Sequence, residues 1–179
     1  MYFWQKASRN GSADPGGCVE TCRFACEDSL CNRCADRKWC AHGVPVIADM
    51  VFEEVKEADT EMIVLPGGLP GATNLDAHKG LSDLIMAFAE AGKPLSAICA
   101  APLVYGKRGL LKGKKATCYP GFDKYLDGAD YTAALVQNDG NFITGKGPGA
   151  AMDFSFAIAE KYVGADKVKE LKQAMMIAE

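Results

Sequence analysis

The chain has 179 residues, 49% of them hydrophobic, and a formal net charge of -3 at pH 7. That length suits one globular domain with a continuous core, and the small net charge gives no electrostatic reason to expect nucleic acid or an anionic membrane surface as partner. No apolar run approaches the ~18 residues of a membrane span and the first residues lack the basic-then-apolar order of a secretory signal, so the cytosol is the expected compartment.

Cysteine usage divides the chain in two. Of its eight cysteines, Cys18, Cys22, Cys26, Cys31, Cys34 and Cys40 precede Ala41, and only Cys99 and Cys118 follow it. Residues 1–41 also hold both tryptophans, yet no isoleucine and only Leu30 and Val19. Poor in aliphatic residues, this segment is expected to make neither a strand nor an apolar helix face. Residues 42–179 read as an α/β domain.

Within that domain, "VPVIADMVFEEV" alternates like a half-buried strand, and "EMIVLPGG" is a short apolar run ending in glycines, as a buried parallel strand does. "TNLDAHKGLSDLIMAFAEAGKP" sets Leu81, Leu84, Ile85 and Phe88 at helical spacing, with Gly92 and Pro94 as stop signals and Thr73 and Asn74 as caps. "LSAICAAP" is the next strand, "APLVYGKRGLLKG" a helix and "KKATCYP" strand-like. "ALVQNDGNFITG" reads as a hairpin around Asp139 and Gly140. A helix opened by Pro148 follows, and a last helix places Val168, Leu171 and Met175 on one face. Strands alternating with helices predict a parallel sheet covered on both sides.

In such a sheet the chemistry gathers at the carboxyl ends of the strands. Two stretches qualify. In "LPGGLPG", Gly67 and Gly68 permit a tight turn with outward amide hydrogens. In "AICAAP", the strand meets the helix so abruptly that Cys99 must stand on a strained turn, as in a nucleophile elbow. A thiol there faces the positive end of a helix, a field that favours thiolate. The amides of Gly68 and Ala100 are candidates for an oxyanion hole. Against this stands the fact that free cysteine is among the most buried residue types, so spacing alone leaves inert core as an equal reading. Cys118, which closes a strand, reads as core rather than as a resolving thiol. His42 and His78, the two histidines, read as loop or helix-edge residues rather than bases.

Four motifs in order, "MIVLPGGLPGATNL", "AICAAP", "ATCYPGFDKYL" and "ITGKGPG", resemble the DJ-1/PfpI (ThiJ/PfpI) family across residues 61–160, and more weakly from Ala41 to the C-terminus. The resemblance implies a flavodoxin-like three-layer α/β sandwich, dimeric as a rule, with the family's reactive cysteine at Cys99. It implies a cofactor-free glyoxalase or deglycase activity on 2-oxoaldehydes such as methylglyoxal, or on glycated substrates. The alternative it carries is a redox-sensing stress protein or holdase without turnover. Gly67, Tyr119 and Lys146 are the further substrate-contact candidates, Lys146 as a cation that could steer an anionic group. Peptidase-like relatives have histidine directly after the nucleophile, where this chain has Ala100. Some relatives have histidine where Tyr119 stands, so no cysteine–histidine pair is evident. The family's glutamate, contributed by its first strand–helix region, has no counterpart: Glu53 and Glu54 of "VFEEV" fall in the wrong place and read as a solvated edge.

Residues 1–41 have the composition of a misread frame. With free choice of degenerate bases only, the codons for residues 1–9 can be read in another frame as VFLAEGFEE, and those for residues 10–34 in a third frame as MEALIPVDVLRRAGLPVKTVSVTG. These hypothetical peptides match the family's opening strand, first helix and second strand. Two single-base losses, near Asn10 and before Ala41, would account for the segment. A zinc or disulfide module is the rival reading, but only Cys31 and Cys34 have paired-knuckle spacing, and a disulfide framework needs an oxidising compartment. No metal or other cofactor is expected.

Overall fold

The computed structural model describes residues 50–177 in full, together with the backbone strands at residues 2–5, 22–26, 38–39 and 45–46. Its heart is three parallel strands: β6 (Thr60–Leu65), β7 (Leu95–Ile98) and β11 (Phe142–Gly145). Ile63 stands opposite Leu95, and Phe142 lies on the other side of Leu95, so the apolar residues of neighbouring strands share one face. The seven-stranded sheet has the order β10-β11-β7-β6-β1-β2-β5, with β1 at Tyr2–Gln5, β2 at Cys22–Cys26, β5 at Met50–Val51 and β10 at Val136–Asp139. Two small pairs complete the strands among the described residues: β3 (Lys38–Trp39) with β4 (Pro45–Val46), and β8 (Lys115–Ala116) with β9 (Asp130–Tyr131).

Alternation along the strands builds three layers. Ile63, Leu65, Leu95, Ala97 and Phe142 face α1 (Gly71–Ala77), α2 (Lys79–Glu90) and α3 (Pro102–Gly106), where Leu75, Leu81, Ile85, Phe88 and Tyr105 close the larger core. Met62, Ile143, Val64 and Ile98 point the other way, onto Phe154 and Ile158 of α4 (Ala151–Val163). Helix α5 (Ala165–Ala174) packs along α4. Among the described residues no helix is long and apolar enough to cross a membrane.

Several expectations need correction. Residues 1–41 do contain strands: β1 pairs antiparallel with both β6 and β2, and β2 pairs parallel with β5. Aromatic residues suit a pleated surface as well as branched aliphatics do, and Tyr2, Phe3 and Trp4 supply them. The sheet is therefore mixed rather than wholly parallel. The six clustered cysteines lie outside the fully described residues, Cys22 and Cys26 being placed only as backbone of β2; His42 lies outside the described residues.

"VPVIADMVFEEV" is not one strand. It holds β4 and β5, and the chain then coils into a 3-10 turn at Phe52–Glu54 that leaves Glu53 and Glu54 exposed. The helix expected after "LPGG" is broken at His78, whose backbone is extended and whose Nδ1 accepts the Leu81 amide at 3.0 Å. That bond caps the N-terminus of α2. Thr73 and Asn74 lie inside α1 rather than ahead of it, and the Thr73 hydroxyl donates to the Pro70 carbonyl. Helix α3 has five residues, fewer than its apolar pattern suggested: Gly109 takes a left-handed backbone at φ 69°, and the Leu110 amide reaches back to the Tyr105 carbonyl at 3.1 Å. The hairpin forms as expected, with Asp139 paired to Phe142. In α5, Val168 is buried and Leu171 half-buried, whereas Met175 is exposed past the helix end.

Candidate active site at the Cys99 elbow

Cys99 is the residue at which β7 ends and the turn into α3 begins, and its φ is 65°. Left-handed backbone costs a non-glycine residue about 1–2 kcal/mol. Two backbone bonds hold it there. The Cys99 amide donates to the Gly145 carbonyl at the end of β11, and the Cys99 carbonyl accepts from the Tyr119 amide, both at 2.8 Å. The turn is buried on its far side by Ala100 and Ala101, and Pro102 starts α3. The cysteine itself remains partly exposed and free.

Gly67 closes the site from β6. A Cβ built on it would lie 2.4 Å from the Cys99 Cβ, 2.8 Å from the Ile98 carbonyl oxygen and 3.1 Å from the Cys99 Sγ. Only a residue without a side chain allows the two strand ends to approach so closely. Gly68 follows with φ 93°, and its carbonyl accepts the Ala72 amide at 2.8 Å, fixing the loop onto α1. Among the described residues, the amides of Gly68 and Ala100 donate to no protein acceptor.

The remaining candidates divide. Tyr119 is beside the site: its amide bonds Cys99, its ring lies against Gly147, where an added Cβ would be 3.3 Å from Cδ2, and the side chain is exposed. The Lys146 ammonium is in an exposed position and makes one protein contact among the described residues. Nζ donates to the Ala133 carbonyl at 3.0 Å. Cys118 is fully buried, and burial, followed by the charges of Asp123 and Cys99, pushes its thiol up to about 12. It is core, as expected. His78 is occupied as a helix cap.

Two contributors were not picked out from sequence: the Gly145 carbonyl that fixes Cys99, and the loop of Ala133, Ala134 and Leu135. The first sits in "ITGKGPG", so the motif was visible while its backbone role was not. The second has no side-chain signal. Asp76 of α1 pairs with Lys107 and Arg108 at 2.6 and 2.8 Å. Burial pushes its carboxyl up, but the hydrogen bonds and charges of Lys107 and Arg108 outweigh that and hold it below the usual carboxylate range.

The fold and this turn define an α/β protein that presents a cysteine on a strained strand-to-helix elbow. A model of the DJ-1/PfpI family matches residues 29–161, and the chain belongs to that family. The match starts ahead of the Ala41 boundary. Protein DJ-1 homolog B of Arabidopsis thaliana is 40% identical over 75% of this chain and 31% of its own length, so the chain spans about a third of that relative. A glutathione-independent glyoxalase of Caenorhabditis elegans is 31% identical over 78% of this chain and 75% of its own length. A deglycase of Pyrococcus abyssi is 37% identical over 60% and 66%. The crystal structure of Drosophila melanogaster DJ-1beta superposes with a TM-score of 0.74 at 34% identity, covering 80% of this chain and 78% of that one.

Proposed function

We propose that the protein acts through Cys99 on 2-oxoaldehydes, as a cofactor-free glyoxalase or deglycase-like enzyme. The observation that carries this reading is the elbow itself: a partly exposed cysteine at φ 65°, bonded on both backbone sides, next to two unengaged amides. Relatives bearing the names glyoxalase and deglycase support the substrate class.

In the reaction, the Cys99 thiolate attacks the aldehyde carbon of methylglyoxal. A C–S bond forms, the carbonyl electron pair moves to oxygen, and the amides of Gly68 and Ala100 stabilise the oxyanion. The oxyanion takes up a proton, a base removes the proton of the former aldehyde carbon while the neighbouring carbonyl oxygen is protonated, and the resulting enediol becomes a thioester as the second carbon is protonated and the hydroxyl on the sulfur-bearing carbon loses its proton. Water cleaves the thioester to lactate and frees the thiol, so one water is consumed and no oxidant is needed. Glu53 and Glu54, exposed on the turn after β5, are not placed as that base. With no base assigned among the described residues, turnover is expected to be low.

The test follows methylglyoxal loss and lactate formation with the chain and with Cys99→Ser. Turnover abolished by the substitution is expected; equal turnover overturns the reading. Suppression of client aggregation that depends on oxidised Cys99, with no lactate formed, assigns the protein to the redox alternative instead.

A further inference from the structure

Three consecutive carbonyls of the segment after β9 are each captured by residues that flank the elbow. The Ala133 carbonyl accepts from Lys146 Nζ at 3.0 Å, the Ala134 carbonyl from the Thr117 hydroxyl at 2.7 Å, and the Leu135 carbonyl from the Lys146 amide at 2.9 Å. Ala133 is itself held at φ 54°, one of three non-glycine residues among those described with positive φ. This backbone region burdens alanine and is free to glycine. The captors reach directly into the Cys99 support. Lys146 lies between Gly145, whose carbonyl fixes the Cys99 amide, and Gly147, against which the Tyr119 ring rests. Thr117 is two residues before Tyr119, and its own amide donates to Thr144 Oγ1 at 2.9 Å.

We infer that Lys146 is a positioning residue whose ammonium holds Ala133 in its strained conformation, and thereby sets the strand end at Gly145 that fixes Cys99. Its ammonium is used on the protein's own carbonyl. The inference rests on the reading of Cys99 as the reacting thiol.

The experiment measures the rate of alkylation at Cys99, by peptide mass spectrometry, with neutral iodoacetamide and anionic iodoacetate. Four chains are compared: the parent, Lys146→Met, Lys146→Arg and Lys146→Met combined with Ala133→Gly. Lys146→Met is expected to slow both reagents alike, by about fivefold, the factor that goes with losing one modest hydrogen bond. Lys146→Arg, which keeps a donor, recovers most of the rate. Glycine at position 133 adopts the same backbone without help, so the combined variant is expected to recover it as well. A loss confined to iodoacetate shows that the ammonium acts on ligand charge and overturns the inference. An undiminished loss in the glycine background, or no loss at all, overturns it too. A parent chain whose Cys99 alkylates no faster than Cys118 overturns the underlying reading and the inference together.

Discussion

Replacing Gly67 by alanine introduces one methyl group at the closest approach in the elbow. The new Cβ would sit 2.4 Å from the Cys99 Cβ and 2.8 Å from the Ile98 carbonyl oxygen. Both are rigid, one attached directly to the strained Cys99 backbone and the other part of β7. Ordinary carbon contacts begin at about 3.5 Å, so the ends of β6 and β7 must separate by roughly 1 Å. Overpacking of this kind costs about 1–3 kcal/mol, which for a chain of this size lowers the melting temperature by about 5 °C. The same displacement moves Cys99 relative to the Gly68 and Ala100 amides, and a misplacement of about 1 Å can cost on the order of 100-fold in turnover. The assay pairs a thermal melt with the rate of Cys99 alkylation and with lactate formation. Two controls separate the causes. At Gly71 an added Cβ meets nothing within 4 Å, so Gly71→Ala is expected to leave all three readouts intact. At Gly106 the added Cβ would lie 2.2 Å from the Tyr125 carbonyl oxygen, so Gly106→Ala is expected to lower the melt while sparing Cys99. A Gly67→Ala chain with the parent's melt and the parent's reactivity would refute the packing argument.

Other consequences are checked separately. Cys118, fully buried with its thiol raised to about 12, is expected to resist iodoacetamide at pH 8 until the fold is denatured, while Cys99 reacts in the native state; peptide mapping distinguishes them. Asp76→Asn is expected to cost about 1–2 kcal/mol at pH 7. Because the folded carboxyl is held below the unfolded value, that contribution is complete above about pH 4 and fades as pH falls through the lowered folded value. Denaturant melts of both chains should therefore converge in acid, and a constant gap would count against the Lys107–Asp76–Arg108 cluster as its source. His78→Ala removes the acceptor of the Leu81 amide and is expected to cost about 1 kcal/mol of stability, read from the same melts. Resequencing the gene across the codons for residues 1–43 is expected to reveal two lost bases; an intact frame makes the cysteine-rich segment genuine, and its zinc content the next question.

Sequence alone determined the elements whose signal is local. The apolar run of β6, the Leu81–Ile85–Phe88 stripe of α2 and the hairpin of β10 and β11 all follow from short-range periodicity, because burial of one face selects the residues that form it. The family motifs likewise placed Cys99 at a strand-to-helix junction. Tertiary structure decided what depends on distant partners. The break at His78 arises because its ring caps α2, and Arg108, just past α3, finds its partner in Asp76 of α1. The pairing of β1 with β6 depends on a partner distant in the chain, and the low aliphatic content of residues 1–41 gives no sign of it. Lys146 shows the limit most clearly. Its side chain type suggests an anion contact; the hydrogen bond that it makes to the Ala133 carbonyl, thirteen residues away in the chain, becomes visible only in the fold. The backbone of Ala133 is exceptional only in its φ, which no alanine announces in a sequence. The elbow is likewise a product of assembly: the strain at Cys99 is sustained by carbonyl and amide groups of Gly145 and Tyr119, brought to it only when β7 and β11 pair and the segment carrying Tyr119 returns beside them.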